Sequence, residues 1–186
     1  MYDVGRAAKR PFTDIKSLII GIVLMIIPIV NFAVVGYMLK CAKTAAQGDY
    51  TLPEWTDWGG LIISGIIAAV IMFVYMIPGW ICIFLGGAGA VFLGDLGFIA
   101  VLLLPLGGLL MLIGGLFGSV GLIKYSIEGN IGSGFAFGEI IHKAINMEYI
   151  ISYVVAAIVG GILCIVFYVP GGIHMFTALG ETYSKI

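Results

Sequence analysis

Four long apolar segments without Asp, Glu, Lys, Arg or His restrict what this chain can fold into. They cover residues 17–39, 60–85, 97–123 and 149–172. A helix needs about 20 apolar residues to cross the roughly 30 Å hydrocarbon core of a bilayer. Each segment is long enough, so the sequence predicts an all-α, polytopic transmembrane helical bundle with about four spans. We expect a single membrane domain over residues 1–186, multi-pass in the cell membrane.

Composition excludes several other classes of protein. The chain is 61% hydrophobic and 10% charged, whereas about a quarter of the residues in soluble domains are charged. With 9 Lys and Arg and a net charge of −1, it has no basic surface that would neutralise the phosphates of a nucleic acid. The cysteines Cys41, Cys82 and Cys164 lie far apart, a spacing that indicates neither a disulfide framework nor a zinc site.

The N-terminal region resembles a signal peptide only in part. Arg6, Lys9, Arg10 and Lys16 precede the first apolar segment, as positive residues do in a signal peptide. The apolar segment, however, is about twice as long as a signal core, and no small-x-small cleavage motif follows it. We therefore expect a retained membrane segment.

The first polar stretch, residues 40–59, supplies candidate interfacial residues. It contains an acidic and aromatic loop with Asp49, Pro53, Glu54, Trp55, Asp57 and Trp58. Such a loop suits the docking of a partner protein or of a cationic headgroup. An ordinary aromatic belt at the membrane surface, with solvated acids beside it, explains the same residues.

The second polar stretch, residues 124–148, contains an amphipathic segment. Over 135–145 the apolar residues separate from Glu139, His142 and Lys143, which predicts a short helix lying in the membrane interface. Glu139 and His142 have the Glu-x-x-His spacing of di-metal helical bundles, but those bundles need a second copy and further carboxylates. We therefore expect no metal and no cofactor, and no catalytic triad is predicted.

The two polar stretches occupy equivalent positions in a predicted internal repeat. A shift of 81 residues aligns Gly48-Asp49 with Gly129-Asn130, and prolines recur at similar places in both halves. The sequence thus predicts two tandem helix-hairpin-helix repeats, over about 17–85 and about 97–172. Because each unit holds two spans, the copies would be parallel, related by an axis near the membrane normal.

The path of the first segment and the orientation of the chain stay open. With four full spans, basic residues lie on both sides of the membrane, so the positive-inside rule discriminates poorly. Alternatively, Pro28 and Asn31 break the first segment into a re-entrant hairpin, which leaves the N-terminal basic cluster and both polar stretches on one side. Broken backbone at membrane depth is tolerated where protein or water covers it.

Small residues form regular faces on the predicted helices. The principal sets are Gly107, Gly114, Gly118 and Gly121 on one segment and Ala156-x-x-x-Gly160 on another. Because no hydrophobic force joins helices in lipid, small residues that let backbones approach are what supplies packing energy. Such faces serve either a protein partner or homo-oligomer, or the internal packing of the bundle.

Several sequence strings resemble one known family. They are Arg10-Pro11-Phe12-Thr13-Asp14, Gly48-Asp49-x-x-Leu52-Pro53-Glu54-Trp55-x-Asp57-Trp58, Glu128-Gly129-Asn130 and Phe135-x-Phe137-Gly138-Glu139. They resemble the uncharacterised membrane family catalogued as domain of unknown function 4013, and the resemblance spans nearly the whole chain. It implies membrane architecture and a prokaryotic, mainly archaeal origin. It implies no reaction and no catalytic residues.

Three functional hypotheses remain at this point. The favoured one is a non-catalytic scaffold or accessory subunit of a membrane complex or homo-oligomer, in contact with lipids and with a protein partner. The second is a small-solute transporter or channel, although none of the four apolar segments holds the ionisable residue that ion coupling usually needs. The third is an enzyme acting on lipids. It would have to use Glu139, His142 and the acids of the first polar stretch, which we call the first hairpin; the second polar stretch is the second hairpin.

Overall fold

The computed structural model describes residues 2–27, 29–94, 97–166 and 168–186. In these ranges the chain is helical and has no strand, which confirms the predicted all-α bundle. The α-helices are α1 Val4–Lys9, α2 Ile15–Met25, α3 Asn31–Ala46, α4 Trp58–Phe92, α5 Gly97–Val101, α6 Leu103–Glu128, α7 Phe137–Ala144, α8 Met147–Val166 and α9 Tyr168–Tyr183. Short 3₁₀ turns cover Arg10–Phe12 and Ile131–Phe135.

Three helical stretches are long and apolar enough to cross a membrane. They are Trp58–Phe92, Gly97–Glu128 and Met147–Cys164, and they correspond to the second, third and fourth predicted segments. The fourth predicted segment, 149–172, begins in α8 and ends in α9. The chain is therefore built around apolar helices of membrane-spanning length, as the sequence predicts.

The first predicted segment consists of two helices. The Asp14 carboxylate starts α2 by accepting the backbone N–H groups of Lys16 and Ser17. This helix ends at Met25 after 11 residues, or about 16 Å, which is about half of the hydrocarbon thickness. The chain then turns back into α3, which is the path of the re-entrant alternative. Pro28, to which that alternative assigns the break, lies outside the described residues.

Three antiparallel helix pairs form the bundle: α2 with α3, α4 with α6, and α8 with α9. Gly79 meets Gly107, and Tyr75 meets Gly114, so α4 and α6 run in opposite directions. In the same way Gly171, near the start of α9, lies against Gly160 of α8. The pairs then pack on one another, because α3 contacts both α4 and α9.

Each pair begins and ends at the same end of the molecule. Both termini and both polar stretches therefore meet there, in a region that we call the charged end: residues 2–14, 47–57, 129–146 and 184–186. Arg10 joins the N-terminal part to α3, and Lys143 joins the second polar stretch to the end of α9. The 9 Lys and Arg of the chain lie in this region or in the helical turns that border it.

The opposite part of the α4–α6 pair extends beyond the other helices. We call residues 79–92 of α4, helix α5 and residues 103–110 of α6 the arm. With 35 residues, α4 is about 52 Å long, whereas the 16 residues of α3 reach about 24 Å. Phe84 and Phe92 in the arm are 75% and 82% exposed. The glycines of the arm that meet a neighbouring helix meet only other residues of α4, α5 and α6.

The small residues named from the sequence lie at helix contacts inside the bundle. Gly107, Gly114 and Gly118 of α6 face α4, and Gly121 faces the backbone of Gly134. On α8, Ala156 is fully buried beside α1 and α9, and Gly160 faces the Gly171 carbonyl. Internal packing therefore accounts for these faces. The predicted internal repeat stays a prediction.

Replacing Gly118 by leucine tests the α4–α6 contact. A Cβ atom at Gly118 would lie 2.7 Å from the Met72 sulfur and 3.4 Å from the Tyr75 Cβ. We expect Gly118→Leu to destabilise the protein by about 1–3 kcal/mol or more, because overpacking strains both helices. Thermal unfolding in detergent measures the change. Gly161→Leu on α8 is the control, since a Cβ there meets nothing within 4 Å. Equal melting of the two variants would contradict the close packing.

Candidate functional site: the charged end of the bundle

The Arg10 guanidinium lies at the centre of the charged end. The residue is 1% exposed, and its terminal nitrogens donate five hydrogen bonds. The acceptors are the carbonyl oxygens of Cys41 (2.8 Å), Asp49 (3.2 Å) and Thr51 (2.8 Å) and the hydroxyls of Thr177 (2.9 Å) and Thr44 (2.6 Å). One side chain thereby joins the N-terminal segment, the end of α3, the first hairpin and α9.

All five acceptors of Arg10 are neutral. A buried cation is costly unless its donors are satisfied, and here the two terminal nitrogens are satisfied whereas Nε makes no hydrogen bond among the described residues. The bonds to Cys41 and Thr44 place the charge at the last turns of α3, where free carbonyls and the helix dipole favour a cation. The guanidinium is stabilised by this carbonyl and hydroxyl shell rather than by a carboxylate.

Aromatic stacking holds the first hairpin against the α2–α3 pair. The rings of Trp55 and Tyr37 are parallel, with centroids 4.0 Å apart and an interplanar angle of 3°. Trp55 Nε1 donates to the Ser17 carbonyl at 3.1 Å, and the Tyr37 hydroxyl donates to the Pro53 carbonyl at 2.9 Å. Pro53 and Trp55 are therefore held against α2 and α3 by these contacts.

The other predicted residues of the first hairpin are used locally or point outward. The Asp49 carboxylate accepts hydrogen bonds from the Thr51 amide and hydroxyl, which hold the pKa of Asp49 below its usual value. Asp57 caps α4 by accepting the Gly60 N–H at 3.1 Å. The Glu54 side chain and Trp58 are exposed. Asp49 thus stabilises a turn and Asp57 caps a helix, and the three acids of this hairpin do not converge on one point.

The second hairpin is attached to the bundle through its charged residues. Lys124 of α6 pairs with Glu139 of α7 and lies 3.4 Å from Glu128. On the next turn of α7, the Lys143 ammonium donates to the Tyr183 carbonyl at 3.2 Å. His142 is exposed beside them. Glu139 and His142 therefore do not share a partner, and within the described ranges no three metal-type ligands come together.

Helix α7 turns part of its apolar surface outward. Phe137, Ile141 and Ile145 are exposed at intervals of four residues, whereas Ile140 and Ala144 are buried against the bundle. The predicted interfacial segment 135–145 thus contains a helix over Phe137–Ala144. Its outward stripe suits the boundary between headgroups and acyl chains.

The sequence did not identify the residues that organise this end. Arg10 stood out only as part of a basic cluster and of a family string, and Thr44 and Thr177 carry no signal of their own. His174 also carries no local sequence signal, yet it is fully buried with its Nε2 atom 3.5 Å from the Tyr2 hydroxyl. These contacts join residues that are more than 30 positions apart in the chain, so no local sequence pattern predicts them.

Removal of the Arg10 side chain tests its central role. We expect Arg10→Ala to destabilise the protein by at least about 3 kcal/mol, because hydrogen bonds from a charged donor contribute roughly 1.5–3 kcal/mol each. Thermal unfolding and protease cleavage within residues 47–57 measure the effect. Lys9→Ala is the control, since Lys9 is exposed. An Arg10→Ala variant as stable and protease-resistant as the Lys9 variant would refute this assignment.

The ion pair between Lys124 and Glu139 predicts a dependence on pH. The hydrogen bond from Lys124 holds the pKa of Glu139 below its usual 4.5. A lowered folded-state pKa means that the pair stabilises the fold above about pH 4.5 and that this stability is lost as pH falls through the lowered pKa. The effect is small, because the Glu139 side chain is 67% exposed.

Comparison of Glu139→Gln with the unmodified protein isolates this effect. We expect a lower melting temperature for the variant at pH 7 and a difference that disappears as pH falls through the lowered pKa of Glu139. Glu54→Gln removes an exposed acid of the first hairpin and serves as the control. A difference that persists unchanged at low pH would show that another contact is responsible.

Comparisons with known proteins place the chain in a family. Residues 19–175 match the family described as "Protein of unknown function (DUF4013)". The chain is 30% identical over 153 residues to uncharacterized protein MJ1189 of Methanocaldococcus jannaschii, a match that covers 76% of this chain and 51% of that protein. The chain thus spans about half the length of this relative. No solved structure matches. The predicted resemblance is confirmed: the chain belongs to the DUF4013 family.

Proposed function

We propose that this chain is a non-catalytic component of a membrane complex, either a scaffold or an accessory subunit, and that it associates with a membrane protein or with a second copy. The arm carries this proposal. Its aromatic and aliphatic side chains are exposed over 14 residues of α4, 79–92, or about 21 Å of helix. Soluble monomers rarely expose so large an apolar surface, so lipid or protein must cover it.

The length of α4 favours a protein partner in addition to lipid. At about 52 Å, this helix exceeds the roughly 30 Å hydrocarbon core and must tilt, bend or associate with other helices. Pro78 lies inside α4, where proline permits a bend. Association with a second apolar surface covers the part of the arm that the shorter helices of the bundle do not reach.

Small residues suited to close helix approach remain available on the arm. A Cβ atom built on Gly87 or Gly108 would meet nothing within 4 Å. The glycines of the α4–α6 contact, in contrast, are already covered by the partner helix. We therefore propose that partner contact uses the uncovered small residues, among which Gly108 lies next to the exposed Leu106 and Leu109.

The distribution of basic residues supports an orientation. All 9 Lys and Arg lie at or beside the charged end. Basic residues near membrane helices are retained on the cytoplasmic side. We propose that the charged end faces the cytoplasm of the cell and that the arm is directed into the membrane.

The lining of the central cavity supports a scaffold over a transporter of polar solutes. This cavity, of about 280 Å³, lies between α3, α4, α6, α8 and α9. Phe32, Met72 and Phe176 are among its mainly apolar lining residues. The Ser119 hydroxyl there already bonds the Leu116 carbonyl and the Tyr149 hydroxyl. A polar solute would find few groups to replace its water.

Association through the arm is tested by tryptophan substitutions at open glycines. We expect the unmodified protein, purified from its native membrane, to appear as a homo-oligomer or with a stoichiometric partner. Gly108→Trp should weaken that association about tenfold, because the bulky ring separates the surfaces. Light scattering of the detergent-solubilised protein measures the assembled fraction.

Gly161→Trp is the matched control, since Gly161 is equally open but lies on α8, away from the arm. It should leave both association and melting unchanged. A native protein that is purified only as a monomer would overturn the proposed function. Equal association of the two tryptophan variants would instead overturn the assignment of the arm.

A further inference from the structure

A polar cleft opens at the charged end between α3, α4 and α6. Its volume is about 340 Å³, and Lys40 and Lys43, one helical turn apart on α3, line one wall. Leu39 and Leu61 form an apolar part of the lining. This volume falls in the range of roughly 300–1,000 Å³ that is typical of ligand sites.

The two lysines have no carboxylate partner among the described residues. The Lys40 ammonium lies 3.1 Å from the Glu54 carbonyl oxygen and 3.4 Å from the Thr56 hydroxyl, both neutral acceptors. The Lys43 side chain makes no hydrogen bond or ion pair with any residue in the described part of the chain. Its charge is therefore available to a ligand.

One acid also borders the cleft. The Asp57 carboxylate accepts the Gly60 N–H and so caps the positive end of α4. Two ammonium groups against one carboxylate leave the cleft with a net positive charge. The hydroxyls of Thr56 and Ser64, which also line it, add donors for the oxygens of an anion.

The side chains around the cleft suit the surface of a membrane. Trp55 and Trp58 stack beside its entrance loop with ring centroids 5.7 Å apart, and tryptophan is enriched at the headgroup layer. An amphiphilic ligand would place its charged group near the lysines and its apolar part along Leu39 and Leu61. Phosphate is the anionic group that every phospholipid headgroup offers at this depth.

We propose that this cleft binds a phosphate group, with Lys43 as its main cationic contact and the headgroup of an anionic phospholipid as its source. The site is separate from the arm, because the two lie at opposite ends of α4. Its test therefore succeeds or fails independently of the proposed association.

Binding is measured on the full-length protein by native mass spectrometry and by thermal shift. The first experiment uses nanodiscs of zwitterionic lipid with or without an anionic phospholipid. The second experiment uses detergent with inorganic phosphate. We expect the anionic lipid to bind and to raise the melting temperature. Lys43→Gln should weaken this binding about tenfold, because a charge-assisted contact is lost.

Lys9→Gln and Lys16→Gln remove the same charge from exposed positions at the same end and should change binding less than twofold. Equal weakening by all three variants would show a diffuse electrostatic attraction and overturn the site. Binding of phosphate but not of lipid would overturn the proposed source. If Lys43→Gln is unstable, Lys43→Arg keeps the charge and should bind normally, and a folded Lys43→Arg protein without binding would refute the proposal.

Discussion

The rest of the structure depends on the buried guanidinium of Arg10. By bonding the last turns of α3, the first hairpin and Thr177 of α9, it holds residues before the first apolar segment beside residues after it. A chain that enters and leaves at the same end cannot cross the membrane once in between. Because Arg10 holds both ends of this segment at one end of the molecule, α2 ends after 11 residues and α3 returns to the same end.

The α2–α3 pair, whose first helix is only 11 residues long, can lie at membrane depth because the α8–α9 pair packs against it. Broken backbone is tolerated in a bilayer only where protein shields it from lipid. A Cβ atom at Gly21 of α2 would approach Val169 at the start of α9 to 2.9 Å, so the ends of the α2–α3 and α8–α9 pairs lie close together. Gly180 of α9 meets the backbone of Ala42 in α3 near the charged end. The pairs therefore shield one another along their length.

The sequence predicted the features that depend on composition along the chain. Hydropathy identified the apolar segments, and the polar stretches marked both hairpins, because lipid excludes charge from the spans. Hydropathy carries no information on direction, so it did not distinguish a span over 17–39 from two helices that turn back. The role of Arg10 was equally hidden, since its side chain bonds hydroxyls and carbonyls and pairs with no acid in the part of the chain that the structure describes. The proposed orientation rests on the helix pairs, which gather the basic residues at one end of the molecule.

Glycine has two distinct uses along α4 and α6, and the difference connects packing to function. Gly79 and Gly107 let these helices touch along their shared side, whereas Gly87 and Gly108 leave open surface. A spacing rule applied to the sequence treats both kinds alike, because only the neighbouring helix determines which glycines are covered. Once the covered glycines are assigned to the α4–α6 contact, the surface left for a partner is the arm. The 35 residues of α4 then connect that surface to the lysine-lined cleft, so this helix carries both proposed contacts of the protein.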